Sequence, residues 1–289
     1  MTDVASASTT ARARSLSVRA LGVTVAIDVS DDRLLGPLEK CWRAAAVNGH
    51  EATSEKAAGD LRVSAVGPST DGPEAADELA GVLSQLTQEV TRTAIEARAG
   101  ELLMFHAGAL CDQATGATLA FIAPGGTGKT TLALTLGRRP DRGYVTDETV
   151  GVHLDGTVEP YCKPLSVRRA APGPKDETSP LSLGLAVPAV SPWLAGMVLL
   201  RRDLAAGQPV VVEEVDALDA LALLAPETSS LSRFDRPLHV LDALVCSVGG
   251  LRIVRYHDAV DLEPVVSAVL AQPRSAQVAQ LSPQSSTVG

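Results

Sequence analysis

Ala123-Pro124-Gly125-Gly126-Thr127-Gly128-Lys129-Thr130-Thr131 is the stretch that decides the fold. It fits the pattern G-x-x-x-x-G-K-[ST], with Ala123 in the place of the first glycine. The run before it, Ala117-Thr118-Leu119-Ala120-Phe121-Ile122, is apolar and partly β-branched and reads as a buried strand. The run after it, Thr130 to Gly137, reads as a short helix stopped by Gly137 and Pro140. Strand, glycine turn and helix N-terminus together make a cradle for a polyphosphate. Glycines 125, 126 and 128 let successive backbone N–H groups turn inward, and the helix dipole adds partial positive charge. Lys129 reaches the β- and γ-phosphates, and Thr130 offers a hydroxyl to Mg²⁺. The nucleotide-binding set is therefore Gly125, Gly126, Thr127, Gly128, Lys129, Thr130 and Thr131, with ATP and Mg²⁺ as the expected ligands.

Working outward, the next chemical feature is Asp147-Glu148, at the end of the apolar strand Gly143–Thr146 and 18 residues after Lys129. A carboxylate there can hold Mg²⁺, and a second can take the proton of an attacking hydroxyl. Neighbours on a regular strand point to opposite faces, so both serve one site only if the strand ends or bulges there. Asp147 is the first choice for general base and Glu148 for the metal side, with the exchanged assignment left open. His106 lies 23 residues before Lys129, on a strand (Leu103–Leu110) expected to pair with Ala117–Ile122 as a hairpin. Its ring would then lie near the phosphates, to hydrogen-bond a phosphoryl oxygen or orient Asp147. The alternative for a lone histidine in an apolar run is a satisfied core position.

The rest of the chain supports an α/β protein. Residues 16–29 alternate as one or two strands, Asp31 or Asp32 caps a helix through Leu34 and Leu38, and Leu61–Val66 is a strand. Glu74 to Ala99 carries apolar residues at helical spacing. Beyond the loop, Asp155-Gly156 marks a hairpin, 171–193 reads as a Pro-rich loop, and Gly196–Leu200 and Leu251–Tyr256 as strands. Helical patterns cover Asp216–Leu224, Leu238–Val248 and Leu262–Ala271. The expected division is a disordered segment 1–15, an N-terminal α+β region 16–99, an ATP-binding domain 100–271 and a disordered tail 272–289.

Composition narrows the partners. A net charge of -9 argues against a nucleic-acid surface, which needs a basic stripe. Four cysteines with no C-x-x-C fit reduced cytoplasmic thiols. The longest apolar stretch, Leu185 to Leu200, is broken by Pro188, Pro192 and Gly196 and falls short of the ~20 residues of a membrane span. Among the paired arginines, Arg168, Arg169, Arg201 and Arg202 are those that could add charge at a phosphate.

With these residues in hand, the chain resembles a family. His106-Ala107-Gly108, the loop Gly125–Thr130 and Val145-Thr146-Asp147-Glu148 follow in the order and spacing of HPr kinase/phosphorylase catalytic domains, which belong to a group with a phosphoenolpyruvate-carboxykinase-like nucleotide site. The resemblance covers about residues 100–170. Lys163-Pro164-Leu165-Ser166 is similar to a run in the shorter HPr-kinase-related proteins, some of which phosphorylate peptide serines. The resemblance implies a P-loop kinase core with a mixed sheet and phosphoryl transfer from ATP to a serine hydroxyl of a peptide or protein. Asp147 would be acid/base, Glu148 and Thr130 metal ligands, and His106 a supporting residue. Thr131 stands where HPr kinases carry an acidic residue, and their downstream substrate-engaging signature is not recognisable between 200 and 270. What is implied is thus the chemistry rather than HPr as acceptor, and a homo-oligomer is compatible with it. Two other classes use the same loop and carboxylates: a nucleotide-dependent binding module that hydrolyses slowly, and a kinase of a small hydroxylated metabolite with 171–193 as a lid.

Overall fold

The computed structural model describes residues 14–47, 61–69, 75–124, 127–168 and 175–274. Strands β1 (Arg14–Ala20) and β2 (Val23–Val29) form an antiparallel hairpin, so the strand region begins two residues inside the segment expected to be disordered. Its two-residue turn holds Leu21 at φ 49° and Gly22 at φ 80°. That doubly left-handed turn matches the twist of the flanking strands. Asp31 caps α1 (Asp32–Cys41), its carboxylate accepting from the Arg33 N–H at 2.9 Å. β3 (Arg62–Ala65) adds to β2 in parallel. The long helix α2 (Ala75–Ala97) buries Leu83, Leu86, Val90 and Ala94, the three-to-four spacing that makes one apolar stripe. These side chains share a core with Leu102, Met104 and Tyr161 from the second half of the chain.

From there β4 (Leu103–Asp112) and β5 (Ala117–Ile122) form the expected hairpin, and α3 (Lys129–Leu136) follows the glycine loop. Next come β6 (Arg142–Thr146), β7 (Thr149–Val152) and β8 (Val158–Glu159). β9 (Leu165–Arg168) and β10 (Lys175–Thr178) make a separate antiparallel pair against which α2 packs. The 171–193 stretch is therefore not one loop: it contains β10 and a 3₁₀ turn, Pro180–Leu183. The chain continues through β11 (Trp193–Arg201), β12 (Val211–Glu214), α4 (Ala217–Leu224), β13 (Thr228–Ser229), α5 (Pro237–Ser247), β14 (Leu251–Arg255) and α6 (Glu263–Leu270).

The large sheet runs β12-β14-β11-β5-β4-β7-β8, with β6 and β13 also paired to β4. β5, β11 and β14 are parallel, while β4 and β12 run the other way, so the protein is α/β with a mixed sheet. Strand alternation sends residues to two cores. Leu103, Phe105, Ala107, Ala120 and Ile122 face α4 and α5, whereas Leu110, Leu119 and Phe121 face α3 and α6. Among the described residues no helix is long and apolar enough to cross a membrane.

Gly108 shows how tightly the first two sheet strands meet. It pairs with Phe121 across the sheet, and a Cβ built on it would lie 2.2 Å from that ring. Only a glycine lets the aromatic ring close over the backbone at this point.

Candidate phosphoryl-transfer site

Strand register brings three distant segments to one edge of the sheet. Ala107 faces Ile122, the last residue of β5 before the loop, and Ala109 faces Thr146, the last of β6. His106 pairs with Thr149 at the start of β7, and the Ala107 N–H donates to the Glu148 carbonyl at 3.1 Å. Asp147 and Glu148 thus form the turn between β6 and β7, outside any regular strand. The Thr146 hydroxyl shapes that turn by accepting from the N–H groups of Glu148 (3.3 Å) and Thr149 (3.4 Å). Because the strand ends, both carboxylates reach the same side.

What they reach is Lys163. Its buried ammonium lies 3.0 Å from Asp147 Oδ1 and 3.0 Å from Glu148 Oε2. Asp147 is also held by the Thr130 hydroxyl, 2.7 Å from Oδ2, and by the phenol of Tyr144, 2.9 Å from Oδ1. Burial alone would raise the Asp147 carboxyl. The Lys163 charge and the donated hydrogen bonds outweigh it and hold the group below the usual carboxylate range. Burial would likewise strip the proton from Lys163, but Asp147 and Glu148 reverse that and raise its pKa. Glu148 is the looser carboxylate: its side chain is 35% exposed and Lys163 is its partner.

Asp147, Glu148 and Lys163 line a cavity of about 550 Å³ together with His106, Lys129, Thr130 and Thr131. Lys129 folds back so that its ammonium donates to the Ala123 carbonyl at the start of the loop, with Pro124 O at 3.4 Å. Burial lowers its pKa, opposed by Glu227, Asp147 and Glu148. Thr127 donates through its hydroxyl to the Pro124 carbonyl. Gly128 turns the chain into α3 at φ 101°, a region where side chains are rarely seen. Gly125 and Gly126, the other two loop glycines, lie outside the described residues.

His106 opens on the cavity, but Asp147 is oriented by Thr130, Tyr144 and Lys163 and not by the imidazole. Burial and then the Lys129 charge lower the His106 pKa, so the ring is neutral at neutral pH. Of the four arginines, Arg168 lines this cavity, Arg202 a neighbouring one and Arg201 neither, while Arg169 falls outside the described residues. The three buried cysteines and the exposed Cys246 are all free thiols.

No protein-family model matches the chain, and neither does any curated protein. The site must therefore be read from its own chemistry.

Several members escaped the sequence reading. Lys163 stood only as part of a quoted run, and its role as the cation shared by both carboxylates depends on the chain returning after β8. Glu177 on β10 lines the cavity wall at 7% exposure. Its Oε1 accepts from the Ser166 hydroxyl, while Oε2 has no hydrogen-bond partner among the described residues, and burial raises its carboxyl. Ser84, Thr87 and Gln88 of α2 complete that wall, so the N-terminal region contributes to the site. Tyr144 could have been found, since it sits on the short strand β6, three residues before Asp147.

Proposed function

We propose that this protein is a kinase of the HPr-kinase-like type, moving the γ-phosphoryl group of ATP to a hydroxyl, a serine of a peptide or protein being the acceptor class. One observation carries the reading: the loop hydroxyl of Thr130, the paired carboxylates Asp147 and Glu148 and the buried Lys163 converge on one polar cavity beside Lys129. Phosphoryl transfer asks little covalent chemistry of a protein and much positioning and charge neutralisation, which this set of groups supplies.

The donors present fit Mg²⁺. Thr130 and Asp147 are hard oxygen donors in mutual contact, with Glu148 beside them. Among the described residues no three His, Cys, Asp or Glu side chains gather to hold a metal by themselves. Mg²⁺ is commonly held by one or two carboxylates together with the nucleotide's own phosphates. Bound there, Mg²⁺ would neutralise charge between the β- and γ-phosphoryl oxygens. Lys129 would add positive charge on the same oxygens once it leaves the Ala123 carbonyl.

The geometry favours the exchanged roles for the two carboxylates. Asp147 accepts from three donors, one of them a cation, which makes it a poor proton acceptor and a good metal-side ligand beside Thr130. Glu148 lines the cavity with its side chain 35% exposed and only Oε2 on Lys163, so it is the better placed to take the acceptor's hydroxyl proton.

The test is incubation with γ-labelled ATP and a panel of serine-containing peptides and proteins, the label located by mass spectrometry. Glu148→Gln should lower transfer by about 10²–10⁴-fold while ADP affinity stays within twofold, the size of effect expected for a lost general base. Lys129→Ala should lose nucleotide binding itself. Wild-type transfer by Glu148→Gln, with loss in Asp147→Asn at unchanged Mg²⁺ dependence, would return the base role to Asp147. ATP cleavage that never yields a phosphorylated acceptor would remove the kinase reading.

A further inference from the structure

A second cavity, of about 230 Å³, adjoins the phosphate loop on its other side. The two cavities share Gly128 and Thr131, so they flank the first turn of α3. A polyphosphate lying along the loop would therefore have one end at Asp147 and Lys163 and the other at the smaller cavity. That cavity lies outside the carboxyl ends of the parallel strands β11 and β14, since Arg202 directly follows β11 and Tyr256 directly follows β14. In open α/β sheets this is the crevice where ligands bind.

Its lining differs in kind from that of the larger cavity. Val260, an apolar side chain, exposes 60% of its surface among the described residues. Tyr256 closes the floor and is tied to the loop by its hydroxyl, 3.4 Å from the Thr127 carbonyl. The Asp258 carboxylate is 58% exposed, with the Arg202 guanidinium 3.3 Å away. Arg202 in turn donates from Nε to the His257 carbonyl at 2.7 Å, which steadies the segment after β14. Asp258 and Asp261 form a reciprocal cap at the head of the 3₁₀ turn Ala259–Leu262. An exposed apolar side chain next to a carboxylate suits a heteroaromatic base joined to a sugar bearing hydroxyl donors. The larger cavity has the reverse character, with Glu148, Glu177, Lys163 and Arg168 suited to a charged transferring group and a polar acceptor.

We propose that the smaller cavity is the nucleoside subsite, the base resting against Val260 and the ribose hydroxyls donating to Asp258. The larger cavity is then left to the γ-phosphoryl group and its acceptor. This assignment rests on the phosphate-loop reading above and deepens it.

Calorimetric titration of the full chain with ADP, 2′,3′-dideoxy-ADP and inorganic tripolyphosphate tests it. Wild-type protein should bind ADP about tenfold more tightly than the dideoxy analogue, the worth of a hydrogen bond to a charged acceptor. Asp258→Ala should bind the two alike. Thr135→Trp, a substitution of an exposed residue at the cavity rim, should weaken ADP at least tenfold. Both variants should bind tripolyphosphate as wild type does. Wild-type ADP affinity in Thr135→Trp, or undiminished discrimination in Asp258→Ala, overturns the nucleoside assignment. Lys129→Ala separates the two levels: its loss of tripolyphosphate supports the phosphate loop, and its undiminished binding of tripolyphosphate and ADP would sink the loop reading itself.

Discussion

Replacing Lys163 by Met removes a cation from between two carboxylates while keeping the length of the side chain. The ammonium is 3% exposed and sits 3.0 Å from each partner. Deleting one member of a buried ion pair costs about 3–5 kcal/mol, because the charge left behind is neither paired nor hydrated. Here the lower end of that range applies, about 3 kcal/mol. Asp147 keeps the Thr130 and Tyr144 hydroxyls as donors, and Glu148 at 35% exposure can turn to water. For a chain of this size that corresponds to a fall in melting temperature of roughly 6–12 °C. The loss should depend on pH with a defined sign. In the wild type the folded-state pKa of Asp147 is depressed, so its stabilisation is present above the unfolded value near 4 and fades as pH falls through the folded one. Without Lys163 only the Thr130 and Tyr144 hydroxyls oppose the burial of Asp147, and its folded-state pKa should rise above the unfolded value. Such a group favours the folded state at acid pH and penalises it as pH rises through the folded pKa. The deficit of Lys163→Met relative to wild type should thus be greatest near pH 8 and shrink towards pH 4.5. Urea unfolding followed by circular dichroism at these two values and one between them measures it. A deficit below about 1 kcal/mol at pH 8, or one that does not shrink in acid, refutes the buried ion triad.

Two further outcomes test the packing around the site. Gly108→Ala should destabilise the fold by about 1–3 kcal/mol, since the new Cβ meets the Phe121 ring, and Phe121→Leu in the same chain should recover part of the loss; a Gly108→Ala protein with the wild-type urea midpoint would contradict the β4–β5 register. Glu177→Gln should become more favourable relative to wild type as pH rises from about 4 to 8. Burial raises the folded-state pKa of Glu177, so the group's contribution is favourable below the unfolded pKa and is lost as pH rises through the folded one. A pH-independent loss of stability in Glu177→Gln would show that Ser166, rather than the buried charge, governs that position.

Much of the site could be read because it is local. The strand, turn and helix around the loop span Ala117 to Leu136, and each carries its own signal: β-branched residues, glycines at the turn, and Gly137 to stop the helix. The β4–β5 hairpin is local as well, and through it His106 comes to lie next to the loop. The pairing of β9 with β10 had no such signal. Leu165–Arg168 and Lys175–Thr178 are four residues each, mixed in polarity, and held by α2 from far away in the chain. Glu177 was invisible for the same reason, and Ser166 stood only within the run Lys163–Ser166. β12 was missed because Val211–Glu214 is exposed along its whole length and shows no alternation.

The sequence by itself determined that an apolar strand runs into a glycine loop and a helix from Thr130, and that two carboxylates end a strand 18 residues after Lys129. Those are short-range facts, set by backbone sterics and by the period of apolar residues. It left open whether Asp147 and Glu148 could act together, since a continuing strand would have parted them. Only the tertiary structure decided that. β6 stops at Thr146 because its pairing with β4 ends there, and Lys163 returns to sit between both carboxylates. Which carboxylate accepts more donors, and hence which is the weaker base, follows from burial and from partners 17 residues upstream and 16 downstream, distances over which no sequence period carries information.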